Sequence, residues 1–460
     1  METIQKNDMQ IKQNTIVRWG IAILTILLYA TFYVADGAVV GVDTSGYINR
    51  VMSREAGYSL WVQFFLNVFG EKLYADILVL CQMILAAVTT YVFTFSVAKI
   101  WKVRPFSVFV IWGIQVVFLV LCRFGSGLGA IYPSTVLTEG LTYSLYFLYV
   151  KAILQLNEEI TIGRSTEALI YCVLLMLIRT QLAVAFLGVI AFFFFKALCK
   201  AIPWKKWFLL LAGSVLGMVL VLMTGKVYSY AVHGVTTGVV GSNSFIIVSG
   251  LYGAEAEDIN LFEEEEDRQM FQALYERCME QGLNYSFAKD EGLFALAEHY
   301  SESFDQIKFS TFMPYMRECY GEAGDSDPTR MEIWMDEKAK ELGWPLFKDN
   351  LSVKIKVTFE DVGRGLMRTI GKAAWVLVPY ALIAYAAYIV LMACGFKKKS
   401  NGHTAWGGFF VLIMILGNIA ATSFMIFGEP RYLLYNMVPF YVMGYLLLRD
   451  AWMMRKDKNR

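Results

Sequence analysis

The chain runs to 460 residues, 57% of them hydrophobic and only 18% charged, with a mean hydropathy of +0.48. A soluble domain of that length carries roughly 25% charged residues and cannot hide so much apolar surface, so its natural solvent is a bilayer. The net charge of +1 conceals strong sorting along the chain, no basic face points to nucleic acid, and the scattered cysteines and three isolated histidines spell no zinc site.

A membrane-spanning helix takes about 20 largely apolar residues. Such stretches fall at 17–35, 74–98, 105–122, 136–154, 167–179, 182–199, 207–224, 372–395, 405–427 and 431–449, which predicts an all-α polytopic membrane protein of about ten spans. The first stretch is long enough to span and no small-residue cleavage pattern follows it, so it reads as a retained helix and not a signal peptide. Only Arg179-Thr180-Gln181 separates the fifth from the sixth, a tight exposed turn.

Cytoplasmic loops are rich in Lys and Arg. With the N-terminus inside, the inner segments collect Lys6, Lys12 and Arg18, then Lys99, Lys102 and Arg104, then Lys151 and Arg164. Lys196, Lys200, Lys205 and Lys206 follow, then Lys397, Lys398 and Lys399, and finally Arg449, Arg455, Lys456, Lys458 and Arg460. The lone Arg123 of the outer stretch 123–135 does not offset them. This predicts cytoplasmic termini in a plasma membrane, with three outer segments: 36–73, a Gly-rich stretch at 123–135, and 225–371.

The last of these divides the chain into an N-terminal membrane region (1–224), an insertion (225–371) and a C-terminal membrane region (372–460). The insertion holds 14 Lys and Arg against 26 Asp and Glu over 225–370, a net charge of about −12. Phe271, Leu274, Tyr275 and Cys278 share one helical face behind the acidic run Glu263–Asp267, and Gly282 follows; acid at the start and Gly past the end are helix-terminus signals. A second amphipathic pattern runs through Leu293, Leu296, Ala297, Tyr300 and Phe304. The insertion therefore reads as a mainly helical cap. Cys278 and Cys319 both fall within it and are candidates for pairing, and Asn284 and Asn350 open two sequons that chance alone supplies in a chain this long.

Desolvating a carboxylate is costly, so acids at the outer face call for a reason. Asp36 and Asp43 lie just past the first span. Residues 45–54 fit one short helix and the aromatic stretch 58–69 a second, both suited to the membrane interface. Asp43 has a plain structural reading as N-cap of the helix beginning near Ser45.

The order of features resembles the GT-C superfamily of membrane glycosyltransferases, which includes the protein O-mannosyltransferases and the lipid A aminoarabinose transferases. Asp43 with Tyr47 matches the Asp and Tyr that follow the first span there. Arg54-Glu55-Ala56-Gly57-Tyr58-Ser59-Leu60 and Val68-Phe69-Gly70 look like the passage between and after the two interfacial helices, without its customary prolines. Pro133 to Glu139, Ile178-Arg179-Thr180-Gln181, and Gly428-Glu429-Pro430-Arg431-Tyr432-Leu433-Leu434 are similar to three later motifs, and all five matches fall on the outer side of the topology above. The resemblance covers 1–225 and 372–449.

It implies transfer of a sugar from a polyprenyl-phosphate carrier to a hydroxyl on a glycan, lipid or protein. That chemistry needs a base for the acceptor proton, for which Asp43 is the candidate. It also needs cations for the phosphate leaving group: Arg54, Arg179 and Arg431, with Arg50 also near in sequence. Glu139, Tyr47, Tyr58 and Tyr432 are candidate binding residues, and Asp36, Glu55 and Glu429 secondary ones. No cofactor and no metal is implied. Snorkelling is the plain reading of each arginine, and a favourable helix start that of Glu139. The rival readings are a lipid-linked glycan polymerase or ligase, a transporter or flippase, and a non-catalytic scaffold. A transporter predicts ionisable groups at mid-depth and internal repeats, and neither is visible.

Overall fold

In the computed structural model, the residues described are 2–41, 43–241, 243–288, 292–322, 327–370, 377–397 and 402–458. Among them the chain is helical throughout, its only extended pairing being a single bridge between Val39 and Thr135. Seven helices are long and apolar enough to cross a membrane, making this a multi-pass membrane protein. They are Thr15–Asp36 within α1 (Glu2–Asp36), α3 (Ala56–Ile100), α4 (Pro105–Gly125), the helix ending in α7 (Val184–Leu198), α8 (Trp204–His233), α15 (Leu377–Lys397) and α16 (Gly402–Met425).

Three other expected spans are helices of a different character. The segment at 136–154 is α5 (Thr138–Glu158), which carries Glu139, Lys151 and Glu158 and is buried along nearly its whole length. Packed against α3, α16 and the helix Ile162–Ile178, it meets protein where α8 presents an exposed apolar surface, so polar groups are tolerated on it. The segment at 167–179 is α6 (Ile162–Ile178), only 17 residues long, and 431–449 falls largely in α18 (Met437–Lys458), whose second half is charged. Residues 372–376 of the eighth expected span, and Lys398, Lys399 and Arg460, lie outside the described residues.

The loop after α1 departs from expectation in one respect. Residues 45–54 do not form one helix: α2 spans only Thr44–Ile48, and Arg50 then takes a left-handed conformation (φ +53°) that ends it. The aromatic helix does form, from Ala56, as the first part of α3; Gly70 (φ +71°, ψ +171°) then breaks the ladder and turns the chain into the transmembrane part. Only glycine adopts that backbone without strain. The start of the segment at 225–371 also differs, because α8 continues past residue 224 to His233.

Beyond α8, the helices α9 (Ser244–Gly253), α10 (Glu265–Glu280), α11 (Ala295–Asp305), α12 (Met313–Glu322), α13 (Pro328–Asp349) and α14 (Leu351–Ile370) enclose a second core around Leu251, Leu274, Tyr300, Leu342 and Leu346. The acidic run supplies the N-terminus of α10, as its composition suggests. Cys278 and Cys319 are not disulfide-bonded. Both sequon asparagines are buried and structural: Asn284 donates to the Ala254 carbonyl (2.8 Å) and Asn350 to Asp258 (2.8 Å). Phe304 packs on Phe427 and Phe347 on Phe424, which seats this helical body on the end of α16. The connection after α16 is held from α14, where Asp361 accepts from the Gly428 backbone N–H and Arg368 donates to the Gly428 carbonyl (2.7 Å).

Candidate functional site

The stretch between α1 and α2 is stapled to the segment that opens α5. Val39 N–H donates to Ser134 O and Val136 N–H to Val39 O, both at 2.9 Å, and Thr44 Oγ1 donates to Val136 O at 2.9 Å. Gln82, from the transmembrane part of α3, donates to the carbonyls of Pro133 (3.1 Å) and Thr135 (2.9 Å). These bonds satisfy backbone groups of an otherwise irregular buried loop, and they bring Asp43 beside the first turn of α5, where Glu139 sits.

Asp43 occupies the N-cap position of α2, yet its side chain makes no capping bond. Its carboxylate is held by two arginines: Arg54 Nη2 donates at 2.6 Å, and Arg431 Nη1 approaches the other oxygen at 3.5 Å. Burial alone raises the Asp43 pKa, but the charge and hydrogen bond of Arg54, then Arg431 and Arg179, bring it below the ordinary carboxylate value. The plain N-cap reading is therefore set aside: the position is right and the chemistry is different.

Arg431 is the hub. It opens α17 (Pro430–Leu433), where its Nε lies 2.7 Å from Glu429 and 3.9 Å from Glu139, and its Nη2 donates to the Tyr432 hydroxyl at 2.8 Å. Glu139, 4% exposed, accepts from Arg179 Nη1 at 3.1 Å, and the Arg179 guanidinium lies 4.1 Å over the Tyr432 ring. Six residues expected from sequence (Asp43, Arg54, Glu139, Arg179, Glu429 and Arg431) thus form one network of three carboxylates and three guanidiniums. The Tyr432 ring thus lies close to two guanidiniums, that of Arg179 at 4.1 Å and that of Arg431 at 4.8 Å from its centroid.

The remaining candidates take supporting places. Tyr47 is buried, meets Tyr58 edge-to-face at 4.9 Å, and lies under the Arg54 guanidinium at 5.2 Å. Tyr58 is fully buried with its hydroxyl donated to Gln82, so it stands behind the network. Glu55 accepts from the backbone N–H and the hydroxyl of Thr180, both at 3.2 Å, locking α3 to the turn after Arg179. Asp36 belongs elsewhere: its side chain is 1% exposed, pairs with Arg123 at 2.6 Å, and accepts from the Ile131 N–H at 3.2 Å. It anchors the Gly-rich loop. Arg50 makes no ion pair within 4 Å among the described residues and stands near Tyr228.

Two charged residues of the helical insertion lie near the network and carry no motif. Asp305 and Lys308 lie at the junction of α11 with a π-helical turn, Gln306–Phe312, close enough to Asp43 to feel its charge. Burial raises the Asp305 carboxyl and lowers the Lys308 ammonium. Pro314 explains the widened turn, since it lacks an N–H and its ring crowds the carbonyl four residues back. That proline was the one visible signal, and it marks the backbone irregularity and not the charges. Among the described residues no group of His, Cys, Asp and Glu is arranged to hold a metal ion.

Fold and site together define a polytopic membrane protein with a neutralised carboxylate–guanidinium network at one end of its helix bundle. No family model, curated protein or solved structure matches the chain.

Proposed function

We propose that the protein is a GT-C-like glycosyltransferase of the plasma membrane with about ten spans, α5, α6 and α18 completing the seven apolar ones, and with both termini cytoplasmic. The insertion and the network then face the exterior, where a polyprenyl-phosphate sugar is the donor and a hydroxyl on a glycan, lipid or protein is the acceptor. No cofactor is required. The observation that carries this reading is Asp43 itself: a half-buried carboxylate free of any capping duty, paired with two arginines and flanked by a third, beside lipid-facing helices.

Asp43 is the general base. As the acceptor oxygen bonds to the anomeric carbon, its proton passes to Asp43, the bond from that carbon to the phosphate oxygen breaks, and the electron pair leaves on the phosphate. Arginines that hold Asp43 ionised also weaken it as a base. Incoming phosphate competes for the same forked donors, so Arg54 and Arg431 shift toward the ligand and the carboxylate recovers basicity only in the loaded site. This couples proton acceptance to donor binding.

The test is sugar transfer from a polyprenyl-phosphate donor by Asp43→Asn. Transfer falls about 10²- to 10⁴-fold while the melting profile stays near that of the wild type. Wild-type-like turnover removes Asp43 from the mechanism. Sidedness is checked with an impermeant thiol reagent at Glu266→Cys, an exposed position, in a Cys199→Ser, Cys394→Ser background. Gly250 is unsuitable for this label, since a side chain there meets Leu346 at 2.7 Å. Labelling only after permeabilisation reverses the orientation.

A further inference from the structure

The last helix of the insertion, α14, is strongly amphipathic: its exposed side chains, among those described, are Leu351, Ser352, Ile355, Lys356 and Phe359, the last 76% exposed. Just ahead of it, on the last two turns of α13, Trp344 and Lys348 are also exposed, with the Lys348 ammonium 5.9 Å from the Trp344 ring centroid. Neither Lys348 nor Lys356 makes an ion pair within 4 Å among the described residues. The insertion as a whole has a net charge of about −12, yet Asp349 is the one exposed acid between Trp344 and Phe359. A large apolar surface and unpaired lysines therefore share one edge of an otherwise acidic body.

The depth of this edge is fixed by α16. On α14, Val357 belongs to the core of the insertion and Met367 to that of the membrane bundle; on α16, Ile419 lies in the bundle core, and Ile426 and Phe427 just past its end pack on the insertion. The two helices therefore run antiparallel. Gly365 abuts Ile419, since a side chain there meets Ile419 Cγ2 at 2.7 Å. Phe359 comes six residues before Gly365 and Met425 six after Ile419, each about 9 Å further toward the insertion. Phe359 thus stands level with the end of a membrane-spanning helix, whose Phe424 and Met425 are themselves exposed. Trp344 reaches the same level through Phe347, which lies 5.7 Å from it and meets Phe424 edge-on at 6.2 Å. Below Phe359 on the same face of α14, Val362 and Leu366 pack against the bundle core, so the exposed stripe continues directly into the membrane region.

We infer that this edge of the insertion rests on the bilayer, with Trp344, Ile355 and Phe359 in the interface and Lys348 and Lys356 against anionic lipid headgroups. Apolar and aromatic side chains at the hydrocarbon edge, with lysines just above them, are how an amphipathic helix settles into a membrane surface. Anionic headgroups attract the two lysines and repel the acidic remainder of the insertion, which confines the contact to this edge. The inference goes beyond the transferase reading and stands apart from it, and it holds whichever side of the membrane the insertion faces.

The test places a bimane fluorophore on Phe359→Cys, and separately on Ile355→Cys, in the Cys199→Ser, Cys394→Ser background of the full-length protein. The proteins sit in nanodiscs of phosphatidylcholine and phosphatidylglycerol, each is checked for an unchanged melting temperature, and the signal is taken above that of the background protein. Lipid brominated near its headgroup is expected to quench both positions, and aqueous iodide to quench them about threefold less than at Glu266→Cys on the exposed start of α10. Iodide quenching equal to that at Glu266→Cys overturns the lipid contact. Shielding from both quenchers marks a face covered by a second copy or another chain, and overturns it as well. Brominated phosphatidylglycerol is expected to quench about twofold more than brominated phosphatidylcholine at equal mole fraction, an excess that Lys348→Gln with Lys356→Gln removes. Equal quenching by the two lipids, or an excess that survives the double substitution, overturns the role given to the lysines.

Discussion

The Glu139–Arg179 pair gives the sharpest physical test of the network. Both side chains are nearly out of solvent, at 4% and 11% exposure, and their charged atoms are 3.1 Å apart. With an effective dielectric of about 20, the attraction at that separation is on the order of 5 kcal/mol, much of it offset by desolvation. Removing one partner leaves a buried charge unpaired, which costs about 3–5 kcal/mol. Glu139→Gln is therefore expected to lose about 3 kcal/mol: Gln keeps an acceptor for Arg179, but the negative charge that also faces Arg431 at 3.9 Å is gone. Arg179→Met is expected to lose a similar amount, part of it the guanidinium–ring contact with Tyr432, worth about 1–2 kcal/mol. The double variant removes both charges together and is expected to lose little more than either single change, a coupling of at least about 2 kcal/mol. Reversible unfolding of the four proteins in mixed micelles, followed by tryptophan fluorescence, measures the cycle. Additive losses, with coupling below about 0.5 kcal/mol, refute the claim that these residues act as one buried ion pair.

Three further outcomes are expected. A side chain at Gly46 meets Arg54 Nε at 2.8 Å, so Gly46→Ala displaces the guanidinium from Asp43; sugar transfer falls about tenfold or more while the melting temperature moves little, because the end of an Arg side chain yields cheaply. Asp36→Asn loosens the Gly-rich loop from Arg123 and the Ile131 N–H, costing about 1–3 kcal/mol in the same unfolding assay, with turnover per folded molecule retained. In the insertion, burial lowers the Lys354 ammonium to about 7, and its one hydrogen bond goes to the Tyr300 hydroxyl. Between pH 7 and about 10 the unfolded chain holds this proton and the folded one does not, so stability rises with pH across that window. Lys354→Met is expected to flatten the rise and to melt higher at pH 7; an unchanged slope refutes the assignment.

Periodicity and composition were sufficient for several elements whose cause is local. Long apolar runs imply helices in lipid, the acid run before Phe271 implies a helix start, and the aromatic stretch before Gly70 ends where glycine alone tolerates the backbone. The failure at 45–54 is instructive. Hydrophobic pattern there permits a helix, and the chain turns after Ile48 instead because Arg54 folds back onto Tyr47 and Asp43, contacts that no residue-by-residue propensity contains.

The chemistry-bearing residue types are written in the chain; their partnerships are not. Asp36 and Asp43 both follow the first span, and only packing sends Asp36 to Arg123 and Asp43 to Arg54 and Arg431, the last 388 positions away. Asp305 and Lys308 lack any motif because their relevance comes from where the insertion comes to rest. Local sequence determines which helices form and which residues carry charge. Whether a charge is a cap, an anchor or part of a site depends on which distant group neutralises it, and in a medium that penalises unpaired charge only the tertiary structure decides that.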